Sequence, residues 1–242
     1  CALYKSSCVP RYLKTAKKAQ RFIENLLCDN DTLYVSFRDG KRGKKGFLDD
    51  YAGYTFALLS LYDATLDRSF LDRAEQISKK AVHDYFDAEQ GGFYLYGKEN
   101  ETLISRPKEC YDGAIPSGNS LMAYNLIRLN ELRPDKTIEE TLHRQLAYLS
   151  GEAEKYPAGY AMFLIALSDY FDPPETITIV QPGEDLNELT LHIPSGAIVK
   201  ILNEETTEYR LLNGETTFYL CKNHSCLPPV NKQKFLSDSI GK

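Results

Sequence analysis

The sequence has no apolar run approaching the ~18 residues needed to span a membrane, and no basic n-region followed by an apolar h-region at its start. A membrane segment and a secretory leader are both excluded from the reading. It also lacks a basic stripe. Lys and Arg total 29 against 34 Asp and Glu, the formal net charge is −5, and the two signs are interspersed. Nucleic acid is therefore a poor partner. The one basic run, Lys41, Arg42, Lys44 and Lys45, lies among glycines and reads as a solvated hairpin tip. Cysteines are few and scattered, six in all, which excludes the dense framework of a small secreted domain and points to a reduced, intracellular, cytoplasmic compartment. There is no HExxH, and Ser117 in PSGNS lacks the leading Gly of a nucleophile elbow. Of the four histidines, His83 and His143 fall on amphipathic helices, and the others are His192 and His224. No motif calls for a metal or a cofactor. Cys221, His224 and Cys226 would make half a zinc site, but no second Cys/His pair lies near in sequence. A thiol pair is the simpler reading, with a redox role as a further option. The chain starts at Cys1 without Met and is expected to be part of a longer polypeptide.

What is present is an alternation of two kinds of helix. From Tyr12 to Leu27, apolar residues recur at helical spacing, with lysines and Arg21 on the other side. LYVSF (33–37) then reads as a short strand. YAGYTFALLSLY, from Tyr51 to Tyr62, carries no charge, so its helix is buried all round. Ser69 to Phe86 returns to the one-sided type, and GGFYLY (91–96) reads as a turn and strand. SGNSLMAYNLIRL from Ser117 is almost uncharged. Thr137 to Leu149 is amphipathic, opened by what reads as a capping box on Thr137. YPAGYAMFLIALS from Tyr156 is uncharged again, with Pro157 suited to a first helical position.

Two concentric helix layers explain this order. The expected fold is mainly α: about three helical hairpins forming part of an (α/α)6 toroid over residues 1–172. An ordinary bundle with deeply buried members is the alternative. After Pro173–Pro174, β-branched runs such as TITIV, AIVKIL and TTFYLC announce a small α/β appendage over 173–242. Within it, residues 182–196 lean to helix, and KQKFLSDSIGK reads as a loose tail.

Antiparallel hairpins place all inner-helix starts at one end. Free backbone N–H groups and the positive dipole end gather there, which suits hydroxyls or an anion. The polar residues at those starts are the candidate site. Asp50 and Asp112 are the expected catalytic carboxyls. Asp49, Tyr51, Arg106, Lys108, Ser117 and Asn119 are the expected substrate-binding residues. Acid/base work on a glycosidic bond needs two carboxyls across it. Each also has a plain reading: Asp49, Asp50, Ser117 and Asn119 as helix caps, and Arg106 and Lys108 as surface ion pairs. The expected partners are a carbohydrate-like small molecule and either the remainder of a longer parent protein or another chain completing the toroid.

Several strings occur together in a fixed order: FLDDYAGYTFALLSLYDAT, GGFYLY, RPKECYDGAIPSGNSLMAYNLIRL and FYLCKNHSCLPPV. From about Tyr12 to Val230 the chain resembles the C-terminal part of the thioredoxin-domain-containing protein family that includes spermatogenesis-associated protein 20. The resemblance implies a longer parent with a thioredoxin-like domain. It also implies a toroid similar to N-acylglucosamine 2-epimerases and six-hairpin glycosidases. Its pattern falls on Asp49, Asp50, Tyr51, Gly91, Gly92, Arg106, Lys108, Asp112, Pro116, Ser117, Gly118 and Asn119. Two functions follow as expectations: sugar binding or acid/base processing at the rim, or a scaffold for the thioredoxin-like module with a redox-linked role.

Overall fold

The computed structural model describes residues 1–99, 105–183, 186–194, 196–222 and 225–240. The chain opens with a short helix, α1 (Ala2–Ser7), and α2 (Pro10–Phe22), which widens into one π-helical turn, Ile23–Leu27. Pro10 holds the first helical position, where its missing N–H costs nothing. Two small hairpins follow: β1 (Cys28–Asp29) with β2 (Thr32–Leu33), and β3 (Phe37–Arg38) with β4 (Lys41–Arg42). The single strand expected over 33–37 is thus divided between them. The basic run lies beside a hairpin tip and not on it: the chain turns at Asp39 and Gly40, both at positive φ, and Lys41 and Arg42 form β4.

Five long helices build the body: α3 (Leu48–Thr65), α4 (Arg68–Tyr85), α5 (Gly118–Leu132), α6 (Lys136–Ala153) and α7 (Ala161–Phe171). α3 packs against both α4 and α5, and α5 against both α6 and α7. So α3, α5 and α7 form the inner layer, with α2, α4 and α6 outside. This is an arc of three hairpins. Tyr51, Tyr62, Leu58, Met122, Leu126 and Leu129 are fully buried between the layers, each contributing on the order of 2 kcal/mol. Asn125 on α5 donates to the Ala52 carbonyl at 2.9 Å and pins the two inner helices together.

Local details depart from the sequence reading. α6 is capped by Asp135, which accepts from the Thr137 and Ile138 N–H groups, so the box expected on Thr137 lies two residues inside the helix. GGFYLY is not a strand; among the described residues it makes one bridge, Phe86 to Phe93. Gly91 and Gly92 turn at positive φ, and a β-carbon on Gly92 would meet the Tyr148 ring.

The appendage is a mixed sheet. β5 (Thr176–Val180) lies between a parallel neighbour, β6 (Ile198–Leu202), and an antiparallel one, β7 (Thr217–Lys222). β8 (Ser225–Cys226) and β9 (Val230–Asn231) both pair with β7. A 3-10 turn, Asn187–Leu191, stands inside the segment read as helix; Glu184, Asp185 and Ser195 of that segment lie outside the described residues. The tail is not loose as far as Ile240. It forms α8 (Lys232–Ile240), whose Phe235 stacks on Phe218 at 4.3 Å. Cys221 and Cys226 face each other in register and are joined as a disulfide, not held as the expected thiols. Asn223 and His224 between them lie outside the described residues. The sheet is fastened to the helical arc by Tyr62, whose hydroxyl donates to the Val199 carbonyl at 2.8 Å. Among the described residues no helix is long and apolar enough to cross a membrane.

Candidate binding site at the inner-helix rim

The inner-helix starts do converge. Asp49, in the first turn of α3, accepts the backbone N–H of Gly118, the first residue of α5. The approach is close enough that a β-carbon at 118 would overlap Asp49 Oδ1. Asp112 ties the next pair. One carboxylate oxygen accepts the Ser117 N–H at 2.8 Å, and the other accepts Met162 N–H at 2.8 Å and Phe163 N–H at 3.3 Å. The first turn of α7 is capped by a residue that precedes α5. Three positive helix ends therefore face one rim.

The side chains named from sequence divide into two groups. Asp50 reaches back to accept the Phe47 N–H at 2.8 Å, closing its own helix as an N3 carboxylate rather than standing before it as a cap. Both Asp112 oxygens are engaged, as above. Ser117 is the N-cap of α5: its Oγ accepts from Ser120 N–H and donates to the Cys110 carbonyl. Asn119 is fully buried. It accepts the Phe93 N–H and donates to the Phe93 and Glu109 carbonyls, while Gln145 donates to it in turn. Tyr51 is buried, with its hydroxyl accepting the Leu33 N–H.

The two cations point away from the rim. Arg106 donates to the Tyr96 carbonyl at 2.6 Å and lies over the Tyr94 ring. Lys108 is not a surface ion pair. Its Nζ sits 2.8 Å from Asp87, donates to the Gly91 carbonyl at 2.6 Å, and is enclosed by Tyr94 and Tyr148. That ammonium, with the Tyr94 hydroxyl, holds the Asp87 carboxyl far below the ordinary carboxylate range.

Asp49 differs from the rest. Its residue surface is exposed, yet its carboxyl is pushed upward by partial burial. The Gly118 N–H opposes that shift, and the nearby charges of Glu109 and then Asp50 add to it. Glu109 is exposed, and its carboxylate has no hydrogen bond or ion pair among the described residues. Two exposed aromatics flank the same connections: Tyr111 beside Asp112, and Tyr156 at the entrance to α7. Sequence reasoning overlooked Glu109 and Tyr111. Both lie in RPKECYDGAIPSGNS, between Lys108 and Asp112, in the same connection from which Arg106, Lys108 and Asp112 were chosen.

Among proteins of known sequence, the chain is similar to spermatogenesis-associated protein 20. The human protein is 26% identical over 203 residues, covering 76% of this chain and 26% of its own length; the rat protein is 27% identical over the same span. An uncharacterized Caenorhabditis elegans protein is 25% identical over 263 residues, covering 99% of this chain and 36% of its own. The chain thus spans only a quarter to about a third of the relatives it matches. No family model matches. Among solved structures, a GH76 alpha-mannanase from Bacteroides thetaiotaomicron superposes with a TM-score of 0.52 at 15% identity, covering 69% of this chain and 48% of that one. That likeness is one of fold: the arc matches about half of an (α/α)6 toroid.

An arc leaves open edges. α7 is strongly apolar, yet of its residues only Phe163 and Ala166 are buried, and Leu164, Ile165 and Phe171 are exposed. On the inner layer Phe56 of α3 also shows a large exposed surface, next to Tyr124 of α5 at 5.5 Å.

Proposed function

We propose that these residues form part of a toroid whose inner-helix rim binds, and if catalytic processes, a carbohydrate-like small molecule. The observation that carries this reading is the environment of Asp49: a carboxyl raised by partial burial, at the meeting of two helix N-termini, beside the charge of Glu109. A carboxyl whose protonated form is favoured by burial is suited to general-acid work, and a second carboxyl across the bond to the base or nucleophile role. Asp49 and Glu109 take these parts. Asp50 and Asp112, the pair expected from sequence, act as positioning carboxylates that set the helix starts. The related toroid that acts on mannan supports a sugar over other polar ligands, by fold analogy alone.

The exposed apolar face of α7 supports a second element of the proposal. Further helical hairpins, from the remainder of a longer polypeptide, complete the ring and close the rim into a cleft. The test is a screen of the full-length native polypeptide against mono- and oligosaccharides, by thermal shift and by release of reducing ends. A ligand-dependent rise in the unfolding midpoint supports the reading; no shift with any sugar overturns it.

The disulfide supports a second reading of another class. Cys226 is exposed on the short strand β8, where a thioredoxin-like module could exchange its dithiol with the Cys221–Cys226 bond. In that case the helical arc is a scaffold. Rapid reduction of this disulfide by a thioredoxin-like domain, with no sugar binding, would favour it.

A further inference from the structure

The rim carries a feature that the carboxyl pair does not require. Tyr111 and Tyr156 are 61% and 57% exposed, although aromatic rings usually bury. Their planes are within 4° of parallel and their centroids 6.5 Å apart. That separation lies within the range of roughly 4.5–7 Å for offset parallel rings. Both rings also abut Gly159. A β-carbon there would meet Tyr111 Cε2 at 2.6 Å and Tyr156 Cδ1 at 2.9 Å. Any side chain at 159 would enter the space that the rings define.

The arrangement is held in place from the backbone. The Asp112 N–H donates to the Gly159 carbonyl at 2.7 Å, so the segment carrying Tyr111 is fixed to the 3-10 turn Pro157–Gly159 that follows Tyr156. Asp112 in turn caps α7 through its side chain. Two rings from separate connections are thus set parallel by one aspartate and kept apart from any side chain by one glycine. Glu109 lies two residues from Tyr111 and is electrostatically coupled to Asp49.

We propose that Tyr111, Tyr156 and Gly159 form the sugar-ring platform of the rim, stacking on the apolar C–H face of a pyranose whose hydroxyls meet Asp49 and Glu109. This rests on the carbohydrate reading above. A pyranose carries axial C–H groups on one face and hydroxyls at its edge, so it needs flat aromatic surface beside charged acceptors. A planar aromatic ligand would stack as well but would leave the two carboxylates without hydroxyl donors. The platform thereby selects sugars whose ring face is free of axial hydroxyls.

The experiment measures affinity for a panel of methyl pyranosides and short oligosaccharides by ligand-observed NMR, on the full-length native polypeptide. Tyr111→Ala and Tyr156→Ala are each expected to weaken the best ligand about tenfold, the scale of one lost stacking contact. Tyr111→Phe, which keeps the ring, is expected to retain it. Gly159→Ala is backbone-compatible, since this residue is not at positive φ, and is expected to weaken binding as much as loss of a ring. Unfolding midpoints of the three tyrosine variants should match the parent. If a sugar binds, and Asp49→Asn weakens it while the ring and glycine variants do not, the platform is overturned and the carbohydrate reading stands. If ring variants weaken binding and Asp49→Asn does not, the platform stands and the carboxyl assignment falls. Absence of binding to any sugar overturns both.

Discussion

Asp112 accepts the Met162 N–H at 2.8 Å, and so a residue preceding α5 caps the first turn of α7. Its other oxygen takes the Ser117 N–H at 2.8 Å. One carboxylate thereby orients two inner helices. Asn keeps a single acceptor oxygen and presents an NH2 to the remaining donors. Asp112→Asn is expected to lower stability by about 1–3 kcal/mol, the cost of leaving a part-buried N–H without its partner. Urea unfolding checks this; an unchanged midpoint would show that the rim does not depend on the bridge.

Lys108 and Asp87 form an almost fully enclosed pair at 2.8 Å. Lys108→Met should destabilise by about 3 kcal/mol at neutral pH, because Asp87 keeps its charge without its partner. The sign with pH follows from the depressed carboxyl. The folded value lies below the ordinary ~3.9, so the stabilisation is complete above that value and is lost as pH falls through the folded one. The gap between parent and variant should therefore narrow below about pH 4. A gap that is constant from pH 3 to 7 would contradict the role given to Lys108.

The cysteines should separate by environment. Burial pushes the Cys110 thiol up to about 11 and raises that of Cys28 as well, while Cys8 is exposed. Thiolate is the reactive form. Ellman's reagent at neutral pH should therefore modify Cys8 first and reach Cys28 and Cys110 only on unfolding. Unfolded but unreduced protein should show four thiols, Cys1, Cys8, Cys28 and Cys110, with Cys221 and Cys226 appearing after reduction. Labelling of Cys110 in the native protein would contradict its placement.

The helix layers were legible in the sequence because burial on both faces removes charge. YAGYTFALLSLY and SGNSLMAYNLIRL have almost none, and both became inner helices. Hydrogen-bond partners were not legible. Asp49 and Asp50 are chemically identical neighbours. One meets Gly118 of another helix and one meets Phe47 of its own connection, a choice made by side-chain direction in the first turn of α3. GGFYLY has strand composition, yet it is fastened by the buried amide of Asn119 and by two glycine turns, which no local pattern announces. The last helix was missed because two adjacent residues, Phe235 and Leu236, anchor a largely polar segment.

The exposed face of α7 gives a prediction about association. Leu164, Ile165 and Phe171 present exposed apolar surface on α7. The chain alone should self-associate, and Ile165→Glu should reduce that association while helix content is retained. Light scattering with circular dichroism reports both. A monodisperse monomer at high concentration would contradict the open-edge account.

The central claim is that Asp49, and neither Asp50 nor Asp112, is the carboxyl offered to a ligand. Its folded value is raised, so its favourable contribution belongs to low pH and is lost as pH rises through that value. At neutral pH, Asp49→Asn should therefore leave the unfolding midpoint unchanged or slightly higher. The most direct test measures sugar affinity and unfolding midpoint side by side for Asp49→Asn and Asp112→Asn in the full-length polypeptide. The account expects Asp49→Asn to lose binding at full stability, and Asp112→Asn to lose stability. Unaltered binding in Asp49→Asn, or a loss of binding that merely tracks a loss of stability, would contradict it.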